Sequence, residues 1–167
     1  MLLESYGRVP DLARRAVEGL DDDALAWRPG DGANPVGWLV WHLARQQDAQ
    51  VAALAGTDEV WARDGGWGER SGLPFPLQEN GYGMDADDVS RVRLDAATLL
   101  GYLDDVQAAS ARYLRTLTPE QLDDVVDDDW DPPVTRGARL VSVVDDAVQH
   151  AGQAAYVRGL LERTSGS

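Results

Sequence analysis

The chain contains no cysteine and no lysine, two histidines, one phenylalanine and no long apolar run. Each shortage excludes something. Without cysteine there is no disulfide, no thiolate metal site and no cysteine nucleophile, and a cytoplasmic location is expected. Nothing approaches the roughly 20 apolar residues that a membrane span requires. The start, Met1-Leu2-Leu3-Glu4-Ser5-Tyr6-Gly7-Arg8, shows no basic segment followed by an apolar one, so no secretion signal is expected. Positive charge is scarce, 15 basic residues against 29 acidic ones, for a formal net charge of −14. Phosphate recognition needs basic patches, so neither nucleic acid nor an anionic membrane surface is an expected partner. The sequence also lacks Gly-x-Ser-x-Gly, a P-loop and a dinucleotide fingerprint.

What is present fits one α-helical domain over residues 1–167, 44% hydrophobic. Residues Leu2 to Leu20 carry Leu12, Ala13, Ala16, Val17 and Leu20 on one helical face, with Pro10 expected to kink or restart the helix. Asp21-Asp22-Asp23 is a capping run before a short turn. A second long helix is expected from Asn34-Pro35, as N-cap and first position, to Ala55, where Gly56 stops it. A third runs from about Asp95 to Leu117 and a fourth from about Arg139 to Arg163. Trp38, Leu39, Leu43, Leu99, Leu103, Val106, Val144 and Ala147 form the matching inner stripes.

Thr57 to Asp88 breaks this pattern. Glycine and proline punctuate it, and Trp61, Trp67, Phe75 and Tyr82 are interleaved with them. Aromatic content of this kind argues against a disordered linker. We read an ordered crossover between the second and third long helices, with Trp61 or Trp67 against the bundle. No strand set is apparent. The aspartate-rich stretch 123–133 is a solvated loop without the alternating ligands and central glycine of a calcium loop. The fold class is therefore all-α, a four-helix bundle with one long crossover, a design that builds its sites from side chains on facing helices.

Chemistry concentrates on the two histidines. Asp146 and His150 stand four residues apart, so both leave one face of the last helix, a turn apart. His42 lies in Trp38-Leu39-Val40-Trp41-His42-Leu43-Ala44, on the inner stripe of the second helix. Taken singly, an Asp–His pair reads as structural and a buried histidine as a satisfied core residue. Together, two imidazoles and a carboxylate suit Zn²⁺, Fe²⁺, Ni²⁺ or Mn²⁺ with positions left open. A di-iron centre needs about four carboxylates and two Glu-x-x-His motifs, and these are lacking.

The segments Asn34-Pro35-Val36-Gly37-Trp38-Leu39-Val40-Trp41-His42-Leu43-Ala44-Arg45 and Asp146-x-x-x-His150-x-Gly152-Gln153 resemble the DinB-like superfamily. Within it the chain is most similar to a branch related to mycothiol-dependent enzymes. The loop from Gly56 to Trp61 and the segment Ser71-Gly72-Leu73-Pro74-Phe75 also resemble that branch. The resemblance implies a four-helix bundle carrying a divalent metal on one histidine of the second helix and a His-x-x-x-His pair of the last. His42 and His150 match two of these positions. Asp146 stands at the third, a departure that changes the charge of the site.

The resemblance further implies transfer of a low-molecular-weight thiol, such as mycothiol, bacillithiol or glutathione, to an electrophile. The chain has no cysteine, so the thiol is external. Arg45, Gln46, Gln153, Tyr156 and Arg158 are the candidates for orienting substrate, and no catalytic residue is assigned. The competing reading is a non-catalytic, homodimeric stress or ligand-binding bundle with a degenerate metal site.

Overall fold

The computed structural model describes residues 1–165, so the last two residues of the polar tail lie outside it. Helix α1, Leu2–Val17, buries Tyr6, Val9, Ala13, Ala16 and Val17 along one side. It runs through Pro10 as one element instead of restarting there. A proline inside a helix costs about 3 kcal/mol, and the buried residues on both sides of Pro10 offset that cost by holding a common face. The helix ends before Leu20, and Gly19 turns the chain with φ of 80°. The Asp21 carboxylate then caps α2, Asp22–Ala26, by accepting from the Ala24 amide.

Helix α3, Val36–Ala55, starts after Pro35, which sits at the N-cap in place of the expected Asn34. Gly56, with φ of 65°, closes its C-terminus in the left-handed conformation that glycine adopts without strain. Every residue from Val36 to Arg45 is buried. A helix buried all round must be covered on every side, and here the crossover supplies the covering that other helices do not. Helix α6, Ala96–Thr116, is capped by Asp95, whose carboxylate accepts from the Thr98 amide at 2.7 Å. Helix α7 is the longest, Arg136–Ser165. Both α1 and α3 pack on α6 and α7, so α1 and α3 sit diagonally across a four-helix bundle.

Of the expected inner residues, Trp38, Leu39, Leu43, Leu99, Leu103, Val106 and Ala147 are buried. Val144 is only half-buried, at the edge of a surface groove between α1 and α7 that Leu12 and Val148 also line.

The crossover between α3 and α6 is ordered and carries two short helices, α4, Trp67–Ser71, and α5, Ala86–Arg91. A 3-10 turn, Glu120–Asp123, leads into the stretch 123–133 read as solvated loop, which holds strand β1, Val125–Asp127; β1 pairs antiparallel with β2, Val134–Thr135, just beyond the stretch. Strands of two and three residues leave no alternation for a sequence to show. Among the described residues no helix is long and apolar enough to cross a membrane.

Candidate metal centre

His42 comes from the middle of α3, and Asp146 and His150 from successive turns of α7. One ligand atom from each lies within 4.8 Å of the others. The α3–α7 contact brings the two inner stripes together, and the i, i+4 spacing aligns the α7 pair. His42 is 6% exposed, while His150 and Asp146 are half-buried. The imidazoles stand edge to face with centroids 4.8 Å apart, and Trp38 stacks on His42 at 4.6 Å with 11° between the planes.

The hydrogen bonds decide which nitrogens face the centre. Nδ1 of His42 lies 2.6 Å from the backbone oxygen of Asn80. A carbonyl can only accept, so Nδ1 carries the hydrogen and Nε2 is left as an electron-pair donor. Gln153 treats His150 in the same way, its Oε1 accepting from Nδ1 at 2.9 Å. Nε2 of His150 then faces Oδ1 of Asp146 at 3.5 Å. The second oxygen, Oδ2 of Asp146, is buried without a partner. A buried carboxylate oxygen left unpaired is costly. A cation between the three side chains would satisfy it, so the donor set fits a divalent metal.

The two histidines are tuned in opposite directions. Burial lowers the His42 pKa from its ordinary 6.5 and outweighs the nearby carboxylates. The Asp146 carboxylate, ahead of opposing burial, raises that of His150. His42 therefore reaches the neutral form a metal requires at a lower pH than His150 does.

The residues expected to orient substrate divide. Gln153 is the partner of His150. Gln46 is half-buried one turn beyond His42, and Tyr156 is 66% exposed on α7. The two arginines are committed elsewhere. Arg158 donates to the carbonyls of Arg15 and Glu18, tying α7 to the end of α1. Arg45 is fully buried. Its guanidinium donates to the carbonyls of Glu79 and Leu77, to Glu59 at 2.7 Å and to the Tyr102 hydroxyl. Expecting a cation to meet substrate there is corrected by burial, because its donors hold the crossover to α3.

Sequence reasoning missed the rest of this network. Asp48, 3% exposed, accepts from the amides of Val60 and Trp61 at 2.9 and 2.8 Å and from the Tyr102 hydroxyl at 2.9 Å. The available signal was the spacing of Arg45 and Asp48, a pair three residues apart that are the two charged residues of an otherwise uncharged helix. Asn80 and Gly81 gave no signal beyond that of a loop.

Four long helices, with two histidines and a carboxylate gathered between two of them, define a helical bundle with a candidate metal site. The chain belongs to the DinB superfamily, whose family profile matches residues 5–154. A conserved protein from Enterococcus faecalis, known from a crystal structure, is 34% identical, with a TM-score of 0.89 over 96% of this chain and 94% of that one. YfiT from Bacillus subtilis, described as a probable metal-dependent hydrolase with an unusual four-helix bundle topology, is 22% identical. It superposes with a TM-score of 0.63, over 99% of this chain and 86% of that one, and shares the fold. No curated protein sequence matches the chain.

Proposed function

We propose that the protein is a divalent-metal-dependent enzyme that activates an external low-molecular-weight thiol of the mycothiol type for transfer to a small electrophile. The observation that carries this reading is the convergence of His42, Asp146 and His150, in which Asp146 keeps one buried carboxylate oxygen without a partner. When bound, a divalent ion such as Zn²⁺, Ni²⁺, Fe²⁺ or Mn²⁺ supplies Lewis acidity that lowers the pKa of a small nucleophile. His42 and His150 would hold it through Nε2, and Asp146 would contribute one negative charge. We assign Gln46, one turn beyond His42, and Gln153, beside His150, to orienting the substrate. The strong negative charge of the chain supports a small molecule over nucleic acid as partner.

The description of YfiT favours a second reading, in which the nucleophile is water and the reaction a hydrolysis. Reconstitution of metal-free protein with each of the four ions, followed by elemental analysis, tests the shared premise. Mycothiol, bacillithiol and glutathione are then offered with an alkylating electrophile, in parallel with ester and amide substrates. Metal-dependent loss of free thiol is the expected result. Stoichiometric metal with hydrolysis alone favours the second reading. Failure to take up any metal overturns both and leaves a non-catalytic, homodimeric ligand-binding bundle.

A further inference from the structure

We propose that residues 79–81 of the crossover are the positioning element of the metal centre, a backbone clamp that fixes His42 as the tautomer with Nε2 free. The tautomer is a property of the chain itself, while its consequence for metal affinity rests on the reading above.

Three features build the clamp. First, two residues of α3 one turn apart grip adjacent carbonyls. The Arg45 Nε–H donates to the Glu79 oxygen at 2.9 Å, and the His42 Nδ1–H donates to the Asn80 oxygen at 2.6 Å. Arg45 reaches back again through Nη2 to the Leu77 oxygen at 3.1 Å. The crossover is therefore anchored by a buried cation next to the carbonyl that orients the histidine.

Second, the turn is tied from within. The Glu79 Oε1 accepts from the amides of Asn80 and Gly81 at 2.9 and 2.7 Å, and the Asn80 side chain accepts from the Tyr82 amide at 2.9 Å. These bonds fix the peptide whose oxygen meets His42.

Third, the approach is so close that only glycine fits. A Cβ on Gly81 would lie 2.7 Å from His42 Nδ1 and 3.0 Å from both the Trp38 and Trp41 rings. Its φ of 90° also favours glycine. Trp38 stacks on the face of the imidazole, so the ring is held by an indole on its face and by the loop at its Nδ1 edge. Groups that orient metal-bound histidines typically affect affinity by about 10- to 100-fold when removed. Arg45, Glu79 and Gly81 are thus positioning residues, acting on the metal through His42.

The test uses the full-length metal-free protein labelled with ¹⁵N, at about pH 8, well above the unperturbed histidine value of about 6.5. Long-range ¹H–¹⁵N spectra report which ring nitrogen carries the hydrogen, and Zn²⁺ titration reports affinity. Wild type is expected to show His42 protonated at Nδ1. Gly81→Ala should shift His42 toward a tautomer mixture and weaken Zn²⁺ on the order of 10- to 100-fold. Gly83→Ala is the backbone control. Its φ is 72°, yet an added Cβ meets nothing within 4 Å, so tautomer and affinity should remain those of wild type.

Glu79→Ala should resemble Gly81→Ala. Glu79→Gln keeps an acceptor oxygen and should restore the wild-type tautomer, separating the hydrogen bonds from the charge of Glu79. If Gly81→Ala does not fold, the Glu79 pair decides. His42 protonated at Nε2 in wild type, or Glu79→Ala with wild-type tautomer and affinity, overturns the clamp. Wild type that shows the expected tautomer but binds no Zn²⁺ overturns the metal reading and supports the clamp, so the two failures are distinct.

Discussion

Trp38 lies flat against His42, the only histidine of α3, with their ring centroids 4.6 Å apart. Burial lowers the pKa of this imidazole, while Asp146 raises that of its neighbour His150. The two histidines should therefore titrate in a fixed order, His42 below 6.5 and His150 above it, and NMR titration of the metal-free protein checks this directly. The consequences for stability have opposite signs. The His42 contribution is present above the unfolded value of about 6.5 and is lost as pH falls through its folded value. The His150 contribution is present below about 6.5 and is lost as pH rises through its folded value. A reversed order of titration, or one common midpoint, would contradict the burial and pairing described.

Metal affinity should respond to the ligands unequally. His150→Ala removes a neutral donor and should abolish most binding while leaving helical circular dichroism intact. Asp146→Asn keeps the shape but loses the charge, and should weaken binding less. Asp146→His should bind Zn²⁺ or Ni²⁺ at least as well as wild type. Because His150 must release its proton, affinity should begin to fall at a pH above 6.5 and continue falling on acidification. Isothermal titration across pH measures both effects, and an affinity independent of pH would count against histidine ligation.

At the anchor of the crossover, Asp48→Ala should be severely destabilising. It orphans the Val60 and Trp61 amides and removes one carboxylate beside the buried Arg45. Breaking a buried charged network of this kind costs about 3–5 kcal/mol. Tyr102→Phe removes only the hydroxyl and should cost about 1–3 kcal/mol. Urea unfolding of the two variants and their double mutant should show coupling, because Tyr102 donates to Asp48 directly. Additive losses would mean that the hydrogen bond contributes little.

A helical glycine tests how tightly the crossover docks. Gly101 lies on α6, where an added Cβ would stand 2.5 Å from Cη2 of Trp67. Glycine to alanine in a helix ordinarily stabilises by about 1 kcal/mol. Overpacking against a ring held by its bond to Asp105 costs about 1–3 kcal/mol, so the net sign should be destabilising. A lower melting temperature and a red-shifted Trp67 emission, read in a background where it is the sole tryptophan, are the expected outcome. A raised melting temperature would show that Trp67 yields freely.

Much of the architecture was legible because it is periodic or local. The stripes of α3, α6 and α7, the start of α6 near Asp95 and the stop at Gly56 each follow from spacing or from the preference of one residue. Asp146 and His150 were legible as a pair for the same reason, since four residues along a helix place them on one face. The sequence by itself thus determined which long helices form, most of the faces they bury and which side chains can act together within one turn. Tertiary structure decided the rest. It joined His42 to the α7 pair, turned the donors of Arg45 to the crossover and those of Arg158 to the end of α1, and gave Asp48 and Tyr102 their partnership. It also set the Asn80 carbonyl on His42 across 38 positions of chain. Helical periodicity relates residues only within a segment. Which buried donor meets which distant acceptor depends on how the crossover closes over α3, and the requirement that buried polar groups be paired settles that closure.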